Sequence, residues 1–513
     1  MISKVYTAAL MGIDAHKIEV ETHSEGNVPF FTIVGLPDIA VKESRERVIS
    51  AIKNSGYKFV YQKRITINLA PADIKKEGSS YDLPIAVGIM TTQETVSPDK
   101  LNEYIILGEL ALDGTIRPVH GSLSIAIAAK KLGYKGIILP EENAREASMG
   151  SPDLDVIPAG HLTDVVNFLN GQLKIDPYKT DVHELFREGQ NSKFDFADVK
   201  GQEHVKRALE VAAAGGHNII MVGPPGSGKT MLAKRFATIL PPLSLEEAIQ
   251  TTKIHSISGL LKNNHGLVST RPFRSPHHTI SDAALVGGGK FPKPGEVSLS
   301  HHGVLFLDEL PEFKKNVLEV MRQPMEDGHV TISRAALSLT YPANFLLAAA
   351  MNPCPCGYYG DPTRSCTCPP PQIQRYLAKV SGPLLDRIDI HIEVPAVKFK
   401  ELSSDRKGEP SINIRERVQQ AREVQQSRFK NEKDLFSNAD MQSAEIRKFC
   451  KIDDPGQELL KTAINRLGLS ARAYDRILKV SRTISDLALT ESILPEHISE
   501  AIQYRSLDRD IWS

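Results

Sequence analysis

The chain has 513 residues, 62 Lys plus Arg balanced by 62 Asp plus Glu, with 41% hydrophobic and 24% charged residues. That length exceeds a single hydrophobic core and predicts about two to four domains, and the even charge neither points to a nucleic-acid partner nor excludes one, because a basic channel can sit on a neutral protein. No run approaches the roughly 18 apolar residues of a membrane span, and the apolar N-terminal patch, broken by Asp14 and His16, precedes no small-residue cleavage site, so a cytoplasmic protein is expected.

In chain order, Val20 opens a short strand and Phe30–Val34 forms a second. Asp38–Asn54 reads as an amphipathic helix with Val41, Arg45, Val48 and Ile52 on one side, closing at Gly56. Arg64–Leu69 alternates as a half-buried strand, Leu123–Leu132 reads as a helix, and Gly136–Pro140 as the strand after it. Residues 171–195 are polar and without clear periodicity, the pattern of a linker. A helix from Ala197 carries Val205, Ala208, Leu209 and Ala212 and leads into the buried-type strand Asn218–Val222. A charged stretch, 396–438, follows the next domain, and residues 439–513 are helical by pattern.

Gly223, Pro224, Pro225, Gly226, Ser227, Gly228, Lys229 and Thr230 match the phosphate-binding loop G-x-x-x-x-G-K-[ST], between an apolar strand and the helix Thr230–Ile239. The glycines let backbone N–H groups turn toward phosphate oxygens, Lys229 reaches the β- and γ-phosphates of ATP, and the Thr230 hydroxyl ligates Mg²⁺. Val304–Leu307 is a buried strand ending in Asp308 and Glu309. As a parallel neighbour of the loop's own strand it would bring Asp308 to the Mg²⁺ shell and Glu309 to the attacking water. The strand Asn344–Met351 ends at Asn352, which could hold that water or sense the γ-phosphate. Arg387 and Arg472 are cations of the kind phosphoryl transfer needs, although either alone is more often a surface ion pair.

Four of the five cysteines, Cys354, Cys356, Cys366 and Cys368, lie close together as two C-x-C pairs, which leaves a tetrahedral Zn²⁺ site or free thiols in a loop. His277, His278, His301 and His302 form two pairs, read as packing or pore lining rather than a metal site. Gly287–Lys290 lacks the strand and spacing of a phosphate loop and reads as a turn whose Lys290 and Lys293 could meet a phosphate backbone.

The order of phosphate loop, Asp-Glu strand, Asn strand, Leu384-Leu385-Asp386-Arg387 and late helices resembles the AAA+ ATPases, within them the branch shared by magnesium-chelatase ATPase subunits and minichromosome maintenance helicases. The resemblance implies that Arg387 is an arginine finger reaching a neighbouring subunit's ATP, that Arg472 is a second sensor acting from a helical lid, with Arg375 a further candidate for either role, and that the chain forms a ring, a homo-hexamer. The segment from Arg271 to Val297 resembles that branch's helix-2 insertion. The hairpin Gly328–Thr340, with Arg334 near its tip, resembles the pore hairpin that touches DNA, the bland reading being a structural hairpin with a solvated arginine. Residues 1–170 resemble the Lon protease-like domain through Asn68–Ser80 and Leu107–Val119. Ser80 falls at the nucleophile's place and Leu123 at the partner lysine's, which implies an inactive protease fold.

Nearly the whole chain resembles the YifB/ComM family. The implied layout is α/β: a Lon-like domain at 1–170, a linker at 171–195, an AAA+ core at 196–395, a charged connection at 396–438 and a helical lid at 439–513. The implied function is an ATP- and Mg²⁺-dependent DNA helicase driving branch migration in natural transformation. A magnesium-chelatase-like remodeller and an ATP-dependent protease are the alternatives, the latter weakened by the missing lysine.

Overall fold

Along Asp14–Glu25 the side chains of Ile18, Val20, Thr22 and Ser24 alternate inward, as in a strand buried on one face. The computed structural model describes residues 1–26, 28–180, 193–261, 266–289, 292–334, 337–362, 364–397, 408–432, 435–467, 470–505 and 507. It divides into two units, Met1–Gly189 with Leu245–Ser269, and Gln190–Ser244 with Thr270–Ser513.

The first unit is built on a seven-stranded sheet in the order Phe30–Val34, Arg64–Ala70, Asp14–Glu25, Ile2–Met11, Tyr104–Ile106, Gly136–Pro140 and Asp155–Ala159. Ile2–Met11 and Asp14–Glu25 are a long antiparallel hairpin, so the expected short strand at Val20 is the middle of a longer one. The helix Ile39–Asn54 begins where Asp38 accepts a hydrogen bond from the Val41 N–H (2.8 Å), a side-chain cap for an otherwise orphaned donor. The helix Asp82–Thr92 is buried along its whole length, as its nearly continuous apolar sequence requires. Its one carboxylate, Asp82, is fully buried and pairs with Arg47 through Nε (2.6 Å) and a terminal nitrogen (3.0 Å). Burial pushes the Asp82 carboxyl up to about 6, against the pull of Arg47.

The helix Leu245–Ile257 lies in the phosphate-loop half of the sequence yet packs in this first unit against the helix Ser122–Lys131. The buried Ser256 hydroxyl donates to Glu146 (2.6 Å) and accepts from the Gly121 N–H (2.8 Å), and Lys253 pairs with Asp14 (3.3 Å).

The second unit carries five parallel strands in the order Phe273–Arg274, Val304–Leu307, Leu346–Met351, Ile219–Val222 and Ile390–Glu393. Two expectations change here. The Asp-Glu strand is parallel but does not adjoin the phosphate-loop strand: Leu346–Met351, small and wholly buried, lies between them. Phe273–Arg274, read as the start of an insertion, is an edge strand of the sheet. The charged stretch after the core also differs, because Ser411–Phe429 is a helix of 19 residues whose Ile414, Val418, Ala421 and Phe429 face inward. With Gln425, also buried, spacings of three and four residues make that stripe, which high charge density obscures.

The helices Ser411–Phe429, Ala471–Leu487 and Pro495–Gln503 share one apolar core with the helix Glu203–Gly215 and the sheet. Polar groups join them too. His217, fully buried, contacts Asp389 through Nδ1 (3.3 Å) and Thr483 through Nε2 (2.7 Å), and Arg476 donates to Asp389 (2.6 Å). Burial holds His217 below the usual imidazole range. Burial works against ionisation of Asp389 as well, but Arg476 and His217 overcome it and keep the carboxyl well below the ordinary range.

No helix among the described residues is long and apolar enough to cross a membrane.

Candidate nucleotide site

The strand Ile219–Val222 is apolar and fully buried, and the chain turns out of the sheet at Gly223 into the helix Lys229–Phe236. A side chain at Gly223 would strike the Val394 carbonyl oxygen at 2.1 Å, and Gly228, the residue before the helix, has φ +90°, so both positions need glycine. Inside the loop the Lys229 ammonium is bonded to the Gly223 carbonyl (2.8 Å), the Pro224 carbonyl (2.9 Å) and Asn352 Oδ1 (3.2 Å). Ser227 Oγ is a fourth, longer contact (3.5 Å). Burial lowers the Lys229 pKa and the nearby Asp308 opposes that shift.

Thr230 Oγ1 donates to Asp308 Oδ2 at 2.6 Å. The intervening strand therefore does not separate the two residues, because Asp308 stands at the strand's C-terminal end, where the loop also emerges. Glu309 follows with φ +54°, a left-handed conformation costly for a non-glycine residue and common at functional sites. Its carboxylate, more than half exposed, pairs with His278 Nδ1 at 3.3 Å.

Three further residues belong to this site. Gln202, itself left-handed at φ +55°, donates through Nε2 to the Ser227 carbonyl (3.0 Å) and the Pro395 carbonyl (2.8 Å), strapping the loop to the end of the last strand. His278 holds Glu309. Tyr376 lies near Asn352, and burial pushes its phenol well above the usual range. Only Gln202 had a local signal, a polar residue between Gly201 and a helix start.

Arg387 and Arg472 are brought together, apart from this cluster in their contacts. Arg387 is buried, bonded to the Pro383 carbonyl (2.6 Å) and paired with Glu326. Arg472 is largely exposed and pairs with Asp386 at 3.5 Å. Both line one cavity of about 180 Å³ with Glu326, Asp475, Arg476 and Lys479. Arg375 lines a different cavity, of about 500 Å³, with Glu312, Lys315 and Lys379.

The hairpin His329–Arg334 with Leu337–Pro342 forms as expected, and Arg334 pairs with Leu337 beside the turn. The side chain of Arg334 and the whole of Lys290 lie outside the described residues. Lys293 is exposed on a second small hairpin, where Gly287–Gly288 pairs with Lys293–Pro294. The two hairpins pack together: the Tyr341 hydroxyl donates to the Pro292 carbonyl (2.7 Å), and Ile332 sits against Gly287.

The histidine pairs stack within themselves, His277 on His278 and His301 on His302. Burial, with Arg271 nearby, lowers His302 to about 4. Among the described residues the one group assembled to hold a metal is Cys354, Cys356, Cys366 and Cys368.

In the first unit, the Ser80 carbonyl accepts from the Gly108 N–H (3.0 Å), and the neighbouring Ser79 hydroxyl bonds Glu109. Leu123 is fully buried, and its N–H donates to Glu146 Oε1 (2.9 Å).

Three family models match the chain: "Magnesium chelatase, subunit ChlI" over residues 195–402, "Subunit ChlI of Mg-chelatase" over 19–143, and "Magnesium chelatase, subunit ChlI C-terminal" over 408–505. Competence protein ComM of Haemophilus influenzae is 46% identical over 510 residues, 98% of this chain and 97% of that protein. The uncharacterized protein YifB of Escherichia coli is 46% identical over 510 residues, 99% of this chain and 98% of its own length. The magnesium-chelatase 67 kDa subunit of Chlorobaculum tepidum is 28% identical over 164 residues, 31% of this chain and 23% of that subunit.

Proposed function

This chain belongs to the ComM/YifB family of magnesium-chelatase-like proteins, and from that premise we propose that it is an ATP-hydrolysing AAA+ ring motor acting on DNA, a helicase that promotes branch migration in homologous recombination and natural transformation. The observation that carries the reading is the convergence of Lys229, Thr230, Asp308 and Asn352 in one hydrogen-bonded cluster at the ends of parallel strands.

ATP is the substrate. The N–H groups of the loop take its phosphate oxygens and Lys229 reaches the β- and γ-phosphates. The Thr230 hydroxyl and the Asp308 carboxylate, 2.6 Å apart, are hard oxygen donors that fit Mg²⁺ and would hold it. Held by those two residues, Mg²⁺ would supply charge neutralisation to the phosphates. Glu309 polarises the water, whose oxygen bonds to the γ-phosphorus as the bond to the ADP oxygen breaks, and Asn352 orients that water or senses the γ-phosphate.

Arg387 is the proposed arginine finger reaching the ATP of a neighbouring chain, and Arg472, which lines the same cavity, is the proposed second sensor acting from the lid. Such a trans arrangement requires a ring, a homo-hexamer. The packed hairpins bearing Lys293 and Arg334, with Lys290 beside them in sequence, are the proposed DNA contact. The first unit is proposed to be an inactive Lon-like domain kept for ring assembly or nucleic-acid contact, in line with the buried Leu123 at the lysine position. The C-terminal helices are the proposed lid. The name of the H. influenzae relative supports a role in competence. A second reading, remodelling of a protein or tetrapyrrole-pathway partner, is favoured by the three chelatase models.

Steady-state ATP hydrolysis with single-stranded, duplex and branched DNA separates the two. The motor reading expects strong stimulation by DNA, lost in Arg334→Ala, with Lys229→Ala inactive throughout. A rate indifferent to every DNA overturns it in favour of the partner-remodelling reading.

A further inference from the structure

The four clustered cysteines sit in the loop that leaves the strand Leu346–Met351, just after Asn352. Their sulfurs lie 3.3 Å (Cys354 to Cys356), 3.6 Å (Cys356 to Cys366) and 3.7 Å (Cys354 to Cys366) apart, and all four fall within 4.8 Å of one another. A disulfide would hold two sulfurs at about 2.05 Å. A tetrahedron with metal–sulfur bonds of about 2.3 Å has edges of about 3.8 Å, close to the separations here.

Backbone N–H groups point at three of the sulfurs: Gly357 to Cys354 (3.2 Å), Cys356 to Cys368 (3.4 Å) and Cys368 to Cys366 (3.4 Å). Such bonds orient thiolates and offset their charge, the outer-shell support a metal site needs. Gly357, at φ +88°, turns the chain sharply after Cys356.

The same turn touches the nucleotide loop. A Cβ on Gly357 would lie 2.4 Å from Cδ of Pro225. Two residues before Cys354, Asn352 holds Lys229 (3.2 Å). The cluster thus fixes both ends of a short segment that abuts the nucleotide loop.

We propose that Cys354, Cys356, Cys366 and Cys368 bind one structural Zn²⁺, and that this zinc clip braces Asn352 and Pro225 at the nucleotide site. Four thiolates complete a tetrahedral shell and leave no open position for catalysis. Zn²⁺ replaces up to four thiol protons, which pass to water, and no electron moves. The brace rests on the reading of Gly223–Thr230 as a nucleotide loop; the zinc site does not.

The test uses the full-length protein, with zinc per chain by elemental analysis, cobalt substitution read by visible absorption, and fluorescent-ATP binding. Wild type and Cys450→Ser should carry about one zinc per chain, and Cys366→Ser/Cys368→Ser less than about a tenth. Cobalt should give the absorption of a tetrahedral tetrathiolate centre in wild type. Nucleotide affinity should fall about tenfold or more in the double variant and in Gly357→Ala, with the zinc of Gly357→Ala intact. Should the double variant fail to fold, chelation of wild type, followed by circular dichroism, serves for the same comparison.

Iron in place of zinc, disulfides among the four cysteines, or zinc undiminished in the double variant would overturn the site. Zinc lost with nucleotide affinity unchanged would overturn the brace. Lys229→Ala should lose nucleotide and keep zinc, so retained nucleotide binding there counts against the nucleotide loop and leaves the zinc site standing.

Discussion

In the second unit the reactive side chains face one another. Lys229 bonds Asn352, Thr230 bonds Asp308, and both contacts lie at the C-terminal ends of parallel strands. In the first unit, the positions picked out by the protease resemblance point elsewhere. Leu123 is buried, its N–H is taken by Glu146, and Glu146 also takes the Ser256 hydroxyl of the helix Leu245–Ile257. In the second unit hydrogen bonds join side chains at the strand ends to one another, whereas in the first they tie a main-chain N–H and a helix hydroxyl to one buried carboxylate. Leu123, the position that the protease resemblance assigns to the partner lysine, is part of the socket for the helix Leu245–Ile257.

The largest effect that would break this contrast is on ATP hydrolysis. Lys229→Ala should lower the steady-state rate by at least about a thousandfold, and Arg387→Ala by about the same as a lost arginine finger. If Arg387 acts on a neighbour, mixed rings of the two variants should recover part of the activity, because some junctions pair an intact loop with an intact arginine. Mixtures no more active than either variant would exclude delivery in trans.

Restoring a lysine in the first unit should not restore a protease. Leu123→Lys buries an ammonium group and should destabilise that unit by about 4 kcal/mol, seen as a lower denaturant midpoint. Peptidase activity in this variant would show that the Ser80 region is still competent and would undo the comparison.

Asp82 offers a smaller test. Its folded-state carboxyl titrates at about 6, above the ordinary 3.8, so between those values the folded unit holds a proton that the unfolded chain has released. Stability from this group is present below about pH 4 and is lost as pH rises through 6, a change of about 3 kcal/mol. Asp82→Asn should flatten that slope in pH-dependent unfolding of the full chain. An unchanged slope would assign it to other groups.

Local features were legible in the sequence, and tertiary neighbourhoods were not. The strands Phe30–Val34 and Gly136–Pro140 fall where alternation and apolar runs put them, and the phosphate loop sits between its expected strand and helix. Strand order, by contrast, depends on which buried faces fit, and nothing in Val304–Leu307 or Leu346–Met351 says which lies beside Ile219–Val222. The helix Leu245–Ile257 was not read from the sequence, and its place in the first unit involves Ser256 meeting Glu146, residues 110 apart in sequence. His278, read as packing or pore lining, was misplaced for the same reason: its pairing partner, Glu309, comes from a distant segment.

That pair gives the smallest prediction. Glu309 is more than half exposed, and its contact with His278 at 3.3 Å is an ion pair only when the imidazole carries a proton. Such exposed pairs contribute about 1 kcal/mol or less, so they bias a side chain's direction without fixing it. With His278 removed, the Glu309 carboxylate is free to turn toward the water it is proposed to polarise, while the left-handed backbone at φ +54° still holds its Cα in place. His278→Ala should therefore raise the basal ATPase rate by about two- to fivefold. A fall of tenfold or more would mean the opposite, that the imidazole orients Glu309 for catalysis.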